Sequence, residues 1–252
     1  MASKALFKSS VQPKLIHRFT IATNRSIEIW TTTCIVTNFD KQATVLINPS
    51  NPQLSGVRNF PYFPRGGPVP KEKPKSMHKD WQPLGFVSQW GGMDVGTGML
   101  YPVSVVDGLV HQLGGLGLEA ECRMKAMMTM NGEACPVGEA VVTSAGYDTL
   151  SEYYDKIVHS TPPFFKFHDN PREALQSCYL NALQVAFKEG ERVATPLLGA
   201  GARGFPHDEA IHVAANAARE WCEQSDVSQK VLLFGLLEPK HADELMKTLE
   251  GL

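Results

Sequence analysis

The segment Pro196–Pro206 reads PLLGAGARGFP and runs straight into HDEAIHVAANAAREW, so three glycines lie between an apolar run and an amphipathic helix. Gly199, Gly201 and Gly204 allow positive φ and put no Cβ between main-chain amides and an incoming anion. The following helix adds unpaired N–H groups and the positive end of its dipole. Pro206 suits its first turn, where the missing hydrogen would have had no partner. Together these features make a phosphate cradle, with a glycine loop that only turns the chain as the alternative.

The same string also satisfies G-x-G-x-x-G. A dinucleotide-binding fingerprint opens its domain, however, and needs several strands beyond it and an acid at the end of the next one. After Gly204 this 252-residue chain has room for one helix, one strand and a closing helix. The cradle therefore lies near the end of an α/β fold, and a nicotinamide-dependent oxidoreductase is a remote reading.

The elements that must hold the cradle follow from periodicity. Leu15–Ile21, Ile27–Thr33 and Thr44–Asn48 read as strands, the last buried and ending in INPSNP. Proline then becomes dense through Pro52, Pro61, Pro64, Pro68, Pro70, Pro74 and Pro83, with Lys71, Lys73, Lys75 and Lys79 among them, which marks a loop-rich insertion over about 53–104. Asp107–Leu113 and Leu118–Met127 read as one helix broken by Gly114, Gly115 and Gly117. Glu139–Ser144 and Lys156–His159 read as strands. Asn170, Pro171 and Glu173 spell a helix start with a capping box, and Gly190 a stop. Strand Arg192–Leu198, helix Asp208–Cys222, strand Val231–Leu237 and helix Pro239–Leu249 follow. The alternation implies a three-layer α/β/α sandwich on a mixed, largely parallel sheet, forming a single domain over 1–252 with an N-terminal β extension at about 1–33. INPSNP and the cradle both fall at carboxyl ends of strands, where such folds bind ligands.

Composition narrows the function classes. At 43% hydrophobic residues the chain can bury a full core, and a net charge of −2 with a pI near 6.4 gives no case for direct nucleic-acid binding. No apolar run approaches a membrane span, and MASKALFKSS has no signal core, so a cytoplasmic or nuclear setting without membrane contact is expected. Cys34, Cys122, Cys135, Cys178 and Cys222 show no metal-ligand spacing, so no metal is expected. Cys178 and Cys222 fall on apolar helix faces, as packing residues or, alternatively, a nucleophile. Met124, Met127, Met128 and Met130 read as adaptable packing or a pocket lining.

Four ordered stretches resemble the macrodomain family of ADP-ribose-binding modules. INPSNPQL (Ile47–Leu54) is similar to its VNAAN-type loop and VVDGLVHQLGG (Val105–Gly115) to its VDGAIHRAAG helix start. CPVGEAVVTSAGY (Cys135–Tyr147) with KIVHSTPP (Lys156–Pro163) is similar to its CPTGEA and YVIHTVGP strands, and PLLGAGARGFP aligns without gaps on PAISTGIYGFP. The resemblance covers roughly 27–250. It implies that Gly199, Ala200, Gly201, Ala202, Arg203, Gly204 and Phe205 wrap a diphosphate and distal ribose, with Phe205 against the sugar. It also makes Asn48 and Asn51 part of the ribose loop and Asp107 the acid at the helix start. An amide binds a sugar diol and a carboxylate positions water. A turn residue and a helix N-cap are the competing accounts of Asn51 and Asp107.

Departures accompany the match. The GGGG run that follows the asparagine loop in the family has its nearest counterpart in WGGMDVGTG (Trp90–Gly98), which makes Asp94 a rival of Asp107. No acid in TTTCIVT (Thr31–Thr37) stands in register with the aspartate that grips adenine. Arg203 replaces an aromatic, as a cation for a terminal phosphate or as a surface arginine. The resemblance implies hydrolysis of a distal-ribose substituent (ADP-ribose 1″-phosphate, an ADP-ribosyl bond or an O-acetyl ester) with no cofactor. A non-catalytic reader of ADP-ribose, free or on a protein, is the alternative.

Overall fold

The computed structural model describes residues 11–22, 24–39, 42–56, 106–224 and 228–252. Most of the proline-rich insertion, including Asp94 and the WGGMDVGTG stretch, lies outside them. In chain order the elements are β1 (Lys14–Ala22), β2 (Arg25–Thr31), β3 (Val45–Pro49), α1 (Val106–Met127), β4 (Ala140–Ser144), β5 (Lys156–Ser160), α2 (Pro171–Glu189), β6 (Arg192–Thr195), α3 (His207–Glu223), β7 (Lys230–Leu236) and α4 (Pro239–Gly251). They form one seven-stranded sheet in the order β1-β2-β7-β6-β3-β5-β4. The strands from β2 across to β5 run parallel, and the two edge strands are antiparallel to their neighbours.

Strand alternation sends successive side chains to opposite faces, and each face has its own helices. Val45, Ile47, Val158, Val193, Leu232 and Phe234 pack with Leu175 and Tyr179 of α2, Ala214 of α3 and Leu245 of α4. On the opposite face Leu46, Ile157, Ala194 and Leu233 pack with Val110, Leu113, Leu118 and Cys122 of α1. The expected three-layer sandwich is present, and this division sets where a ligand crevice is expected. Neighbouring strands β3 and β6 are parallel, yet the chain leaving β3 goes on to α1 on one face while the chain leaving β6 goes to α3 on the other. Diverging connections open a cleft beyond the carboxyl ends of such a strand pair.

The break expected in α1 falls at Gly115, with φ 59° and ψ −155°. A Cβ there would lie 2.7 Å from Asp148 Oδ2, so both conformation and space call for glycine.

Some local expectations are corrected. Asn170 makes no side-chain cap; its N–H instead donates to His168 Nδ1 at 3.1 Å, so the capping box does not form. Pro206 is the N-cap of α3, one position before the first turn. Strand β6 stops at Thr195 because Pro196 follows and offers no ladder donor. The methionines are neither core nor pocket: Met124, Met127, Met128 and Met130 are exposed at the end of α1 and just after it. Cys178 and Cys222 are fully buried, and burial pushes their thiols up to about 11 and about 12, as packing groups rather than nucleophiles. None of the helices among the described residues is long and apolar enough to cross a membrane.

A hydrogen bond ties the core to the start of the glycine loop. Tyr179 of α2, fully buried, accepts the Leu198 N–H at 2.7 Å through its hydroxyl. Tyr179→Phe strands that amide, and we expect a loss of about 1–3 kcal/mol of stability. Denaturant unfolding monitored by circular dichroism measures it, and an unchanged midpoint contradicts the role assigned to this bond.

Candidate functional site

The site is built at the carboxyl ends of β3, β5 and β6. Asn48 on β3 stands in register with His159 on β5, and both are fully buried on the α1 face. Asn48 Nδ2 donates to Asp107 Oδ1 at 2.7 Å and lies 3.1 Å from His159 Nδ1. His159 Nε2 is 2.9 Å from Thr143 Oγ1 on β4 and 3.9 Å from Cys122 Sγ on α1. Burial, then His111 and Lys125, lowers the His159 pKa to about 3, so the ring is neutral at physiological pH.

Asp107 sits in the first turn of α1, where the helix dipole favours an acid, and only 5% of it is exposed. One turn on, His111 places Nε2 3.5 Å from Asp107 Oδ1, an ion-pair separation without hydrogen-bond alignment. Among the described residues His111 Nε2, Asn48 Oδ1 and Ser50 Oγ are buried side-chain atoms with no hydrogen-bond partner. Two of these residues flank the Asp107 carboxylate. An orphaned buried polar atom is costly, and such atoms cluster where a protein does chemistry or holds a ligand.

Asn51 is buried, and its Oδ1 accepts the N–H of Ser55 at 3.2 Å and the Ser55 hydroxyl at 3.1 Å. The turn account therefore describes its oxygen, which leaves Nδ2 as the end to meet a sugar.

The glycine loop is folded on itself more tightly than its sequence suggests. Gly199 and Gly204 take positive φ of 81° and 76°. The N–H of Phe205 donates to Gly199 O at 3.1 Å and that of Gly204 to Gly201 O at 3.0 Å, so these two amides are used within the loop. The Phe205 ring is 1% exposed and packs 5.0 Å from Phe165, which corrects the expectation that it faces a sugar.

Arg203 is not a plain surface arginine. Its guanidinium lies over the Phe164 ring at 4.4 Å and donates to Ser50 O at 2.9 Å, while its own carbonyl accepts the Phe165 N–H at 3.0 Å. Burial lowers its pKa to about 10, with Asp107 and Cys178 acting in the opposite direction, so it stays charged at neutral pH. The glycine loop and the asparagine loop are thus joined directly.

His111, Cys122 and His159 bring ligand-type atoms within 4.8 Å of one another. As arranged they do not fit an ion. Both ring nitrogens of His159 are already engaged, Nε2 with Thr143 Oγ1 and Nδ1 with Asn48 Nδ2, and neither is turned free toward an ion.

The structure thus brings together Asn48, Asn51, Asp107 and Gly199–Phe205, while Asp94 lies outside the described residues. Reading the sequence missed His111, Thr143 and His159. His111 was detectable, since a residue four positions after an acid shares its helix face. His159 was hidden in an apolar strand, where its partners are set by sheet register.

Comparison with known proteins fits this geometry. Residues 99–214 match the Macro domain family model. Over 132 residues, 51% of this chain, the sequence is 38% identical to a macro domain-containing protein of Listeria monocytogenes, covering 71% of that protein. It is 35% identical over 132 residues to human ADP-ribose glycohydrolase MACROD2, covering 28% of it, and 31% identical over 128 residues to an O-acetyl-ADP-ribose deacetylase of Citrobacter koseri, covering 68%. The fold is similar to that of a solved Oceanobacillus iheyensis macrodomain with ADP, at a TM-score of 0.66 and 19% identity over 96% of this chain and 97% of that one. Fold, motifs and relatives agree, and the chain belongs to the macrodomain family.

Proposed function

We propose that this macrodomain binds ADP-ribose or a derivative, free or on a modified protein, and hydrolyses a substituent at the distal ribose. The observation that carries the reading is the Arg203–Ser50 contact at 2.9 Å, which sets the glycine loop beside the asparagine loop with the Asn48–Asp107 pair close by. A diphosphate lies along the glycine loop, bound by main-chain donors of its outer turn, the α3 dipole and the Arg203 charge. Its far sugar then falls between Asn51 and Asp107. The carboxylate orients water on the anomeric substituent, and His111 stands beside it to exchange a proton. The relatives named as a glycohydrolase and a deacetylase favour ADP-ribosyl and O-acetyl substrates, and Arg203 favours a 1″-phosphate.

Calorimetric titration with ADP-ribose, followed by product analysis on the 1″-phosphate, the O-acetyl ester and an ADP-ribosylated peptide, tests the proposal. Absence of binding overturns it, and tight binding without product on any of the three leaves a reader. Within the same panel, Arg203→Ala should weaken the 1″-phosphate about 10-fold more than plain ADP-ribose, the loss of one charge-assisted hydrogen bond. Equal losses on both ligands remove the terminal phosphate from its role.

A further inference from the structure

We propose that His159 is a positioning residue which fixes the Asn48 carboxamide, so that its NH2 faces Asp107 and its carbonyl oxygen is held as the acceptor for an O–H group entering the site. Only the identity of that O–H group, a hydroxyl of the distal sugar or the attacking water, rests on the function proposed above.

The geometry leaves one consistent arrangement of hydrogens. Asn48 Nδ2 carries two, and two acceptors lie within reach, Asp107 Oδ1 at 2.7 Å and His159 Nδ1 at 3.1 Å. With the amide reversed, Oδ1 would face a carboxylate oxygen with no hydrogen between them. For Nδ1 to accept, the neutral imidazole must carry its proton on Nε2, and there Thr143 Oγ1 waits at 2.9 Å. The opposite tautomer would set an N–H against the Asn48 N–H, and a charged ring would do the same. Full burial keeps the ring neutral. The chain of bonds therefore runs one way, with Asn48 donating both to Asp107 and to His159, and His159 donating to Thr143.

Asn48 Oδ1 is what remains, buried and with no partner among the described residues. A carbonyl oxygen accepts and never donates. It therefore takes a donor, which in a sugar- and water-filled site is a hydroxyl or water, and it does so only while His159 holds the amide in this orientation. Asp107 alone takes one of the two amide hydrogens; the histidine takes the other and removes the freedom to rotate.

The test uses the full chain with His159→Asn, His159→Leu and Thr143→Val, each checked for a native unfolding transition. In the first variant the introduced amide oxygen can stand close to where the ring Nδ1 was, whereas the leucine side chain of the second fills the space with no acceptor. We expect His159→Leu to lower turnover at least about 10-fold, the scale of one lost hydrogen bond to a reacting group, and His159→Asn to recover most of it. If the O–H belongs to the sugar, ADP-ribose affinity falls alongside turnover in the leucine variant; if it belongs to water, affinity holds and turnover alone falls. Equal activity in the leucine and asparagine variants overturns the proposal.

A ligand-free measurement separates this inference from the functional reading. The 15N shifts of the His159 ring in the wild type should show a protonated Nε2 and a bare Nδ1, and Thr143→Val should shift that balance. The reverse tautomer, or a Cys122-dependent thiolate band on adding Co2+, sinks the proposal even if ADP-ribose is turned over. Failure of wild-type protein to bind ADP-ribose sinks the functional reading and leaves the tautomer to decide this one.

Discussion

Asp107→Asn is expected to lower turnover of the preferred substrate by about 10²- to 10⁴-fold, the usual worth of a positioned acid or base, with affinity for ADP-ribose little changed. Asparagine keeps the shape and an oxygen that can still accept from Asn48 Nδ2, now at 2.7 Å from Asp107 Oδ1. What disappears is the charge that draws a proton from water. The parallel variant Asp94→Asn resolves the rivalry between the two candidate acids. Steady-state kinetics and calorimetry on both variants decide the matter. Full turnover in each removes the base from this mechanism, and a collapse confined to Asp94→Asn moves it to that residue.

The second large effect is expected in the glycine loop. Gly199→Val places a β-branched residue at φ 81°, which costs about 1–2 kcal/mol or more, and sets a Cβ 2.9 Å from the Phe205 ring and 3.3 Å from Leu175. Phe205 is core, so relief must come from the loop itself. We expect a lower melting temperature together with loss of ADP-ribose affinity by about 10-fold or more, on the order of 1.4 kcal/mol. Gly201→Ala supplies the contrast. A Cβ there meets nothing within 4 Å among the described residues, so stability should hold while affinity falls if a diphosphate lies against this turn. A Gly201→Ala protein that binds ADP-ribose as the wild type does places the ligand elsewhere.

Much of this architecture was legible from local pattern. The apolar run ending at Asn48 and the glycine string after Thr195 each pointed to the end of a buried strand, and the glycine interruption of α1 appears at Gly115. The position of β7 between β2 and β6 was not legible, because parallel pairing joins residues far apart in the chain and leaves no mark in local periodicity. Arg203 illustrates the same limit. Its partners, Phe164 and Ser50, lie on other loops, so the string GARGF could not distinguish a surface cation from one stacked and bonded across the crevice. Phe205 went the other way: the resemblance sent it to the sugar, and packing against Phe165 sends it to the core. Asn170 had the right residue type for a cap, but its side chain makes no cap bond and its N–H donates to His168 Nδ1, in the place a capping box gives to Glu173.

The stacked and bonded Arg203 also bears on the thermodynamics of recognition. A loop fastened at both Ser50 and Phe165 has surrendered its conformational freedom before any nucleotide arrives. Elsewhere, ordering costs of about 0.5–1.5 kcal/mol per immobilised side chain fall on the binding step; here they are met when the polypeptide first folds. Association should then resemble entry into a rigid slot, with cutting the fastening felt as a larger entropic penalty on capture.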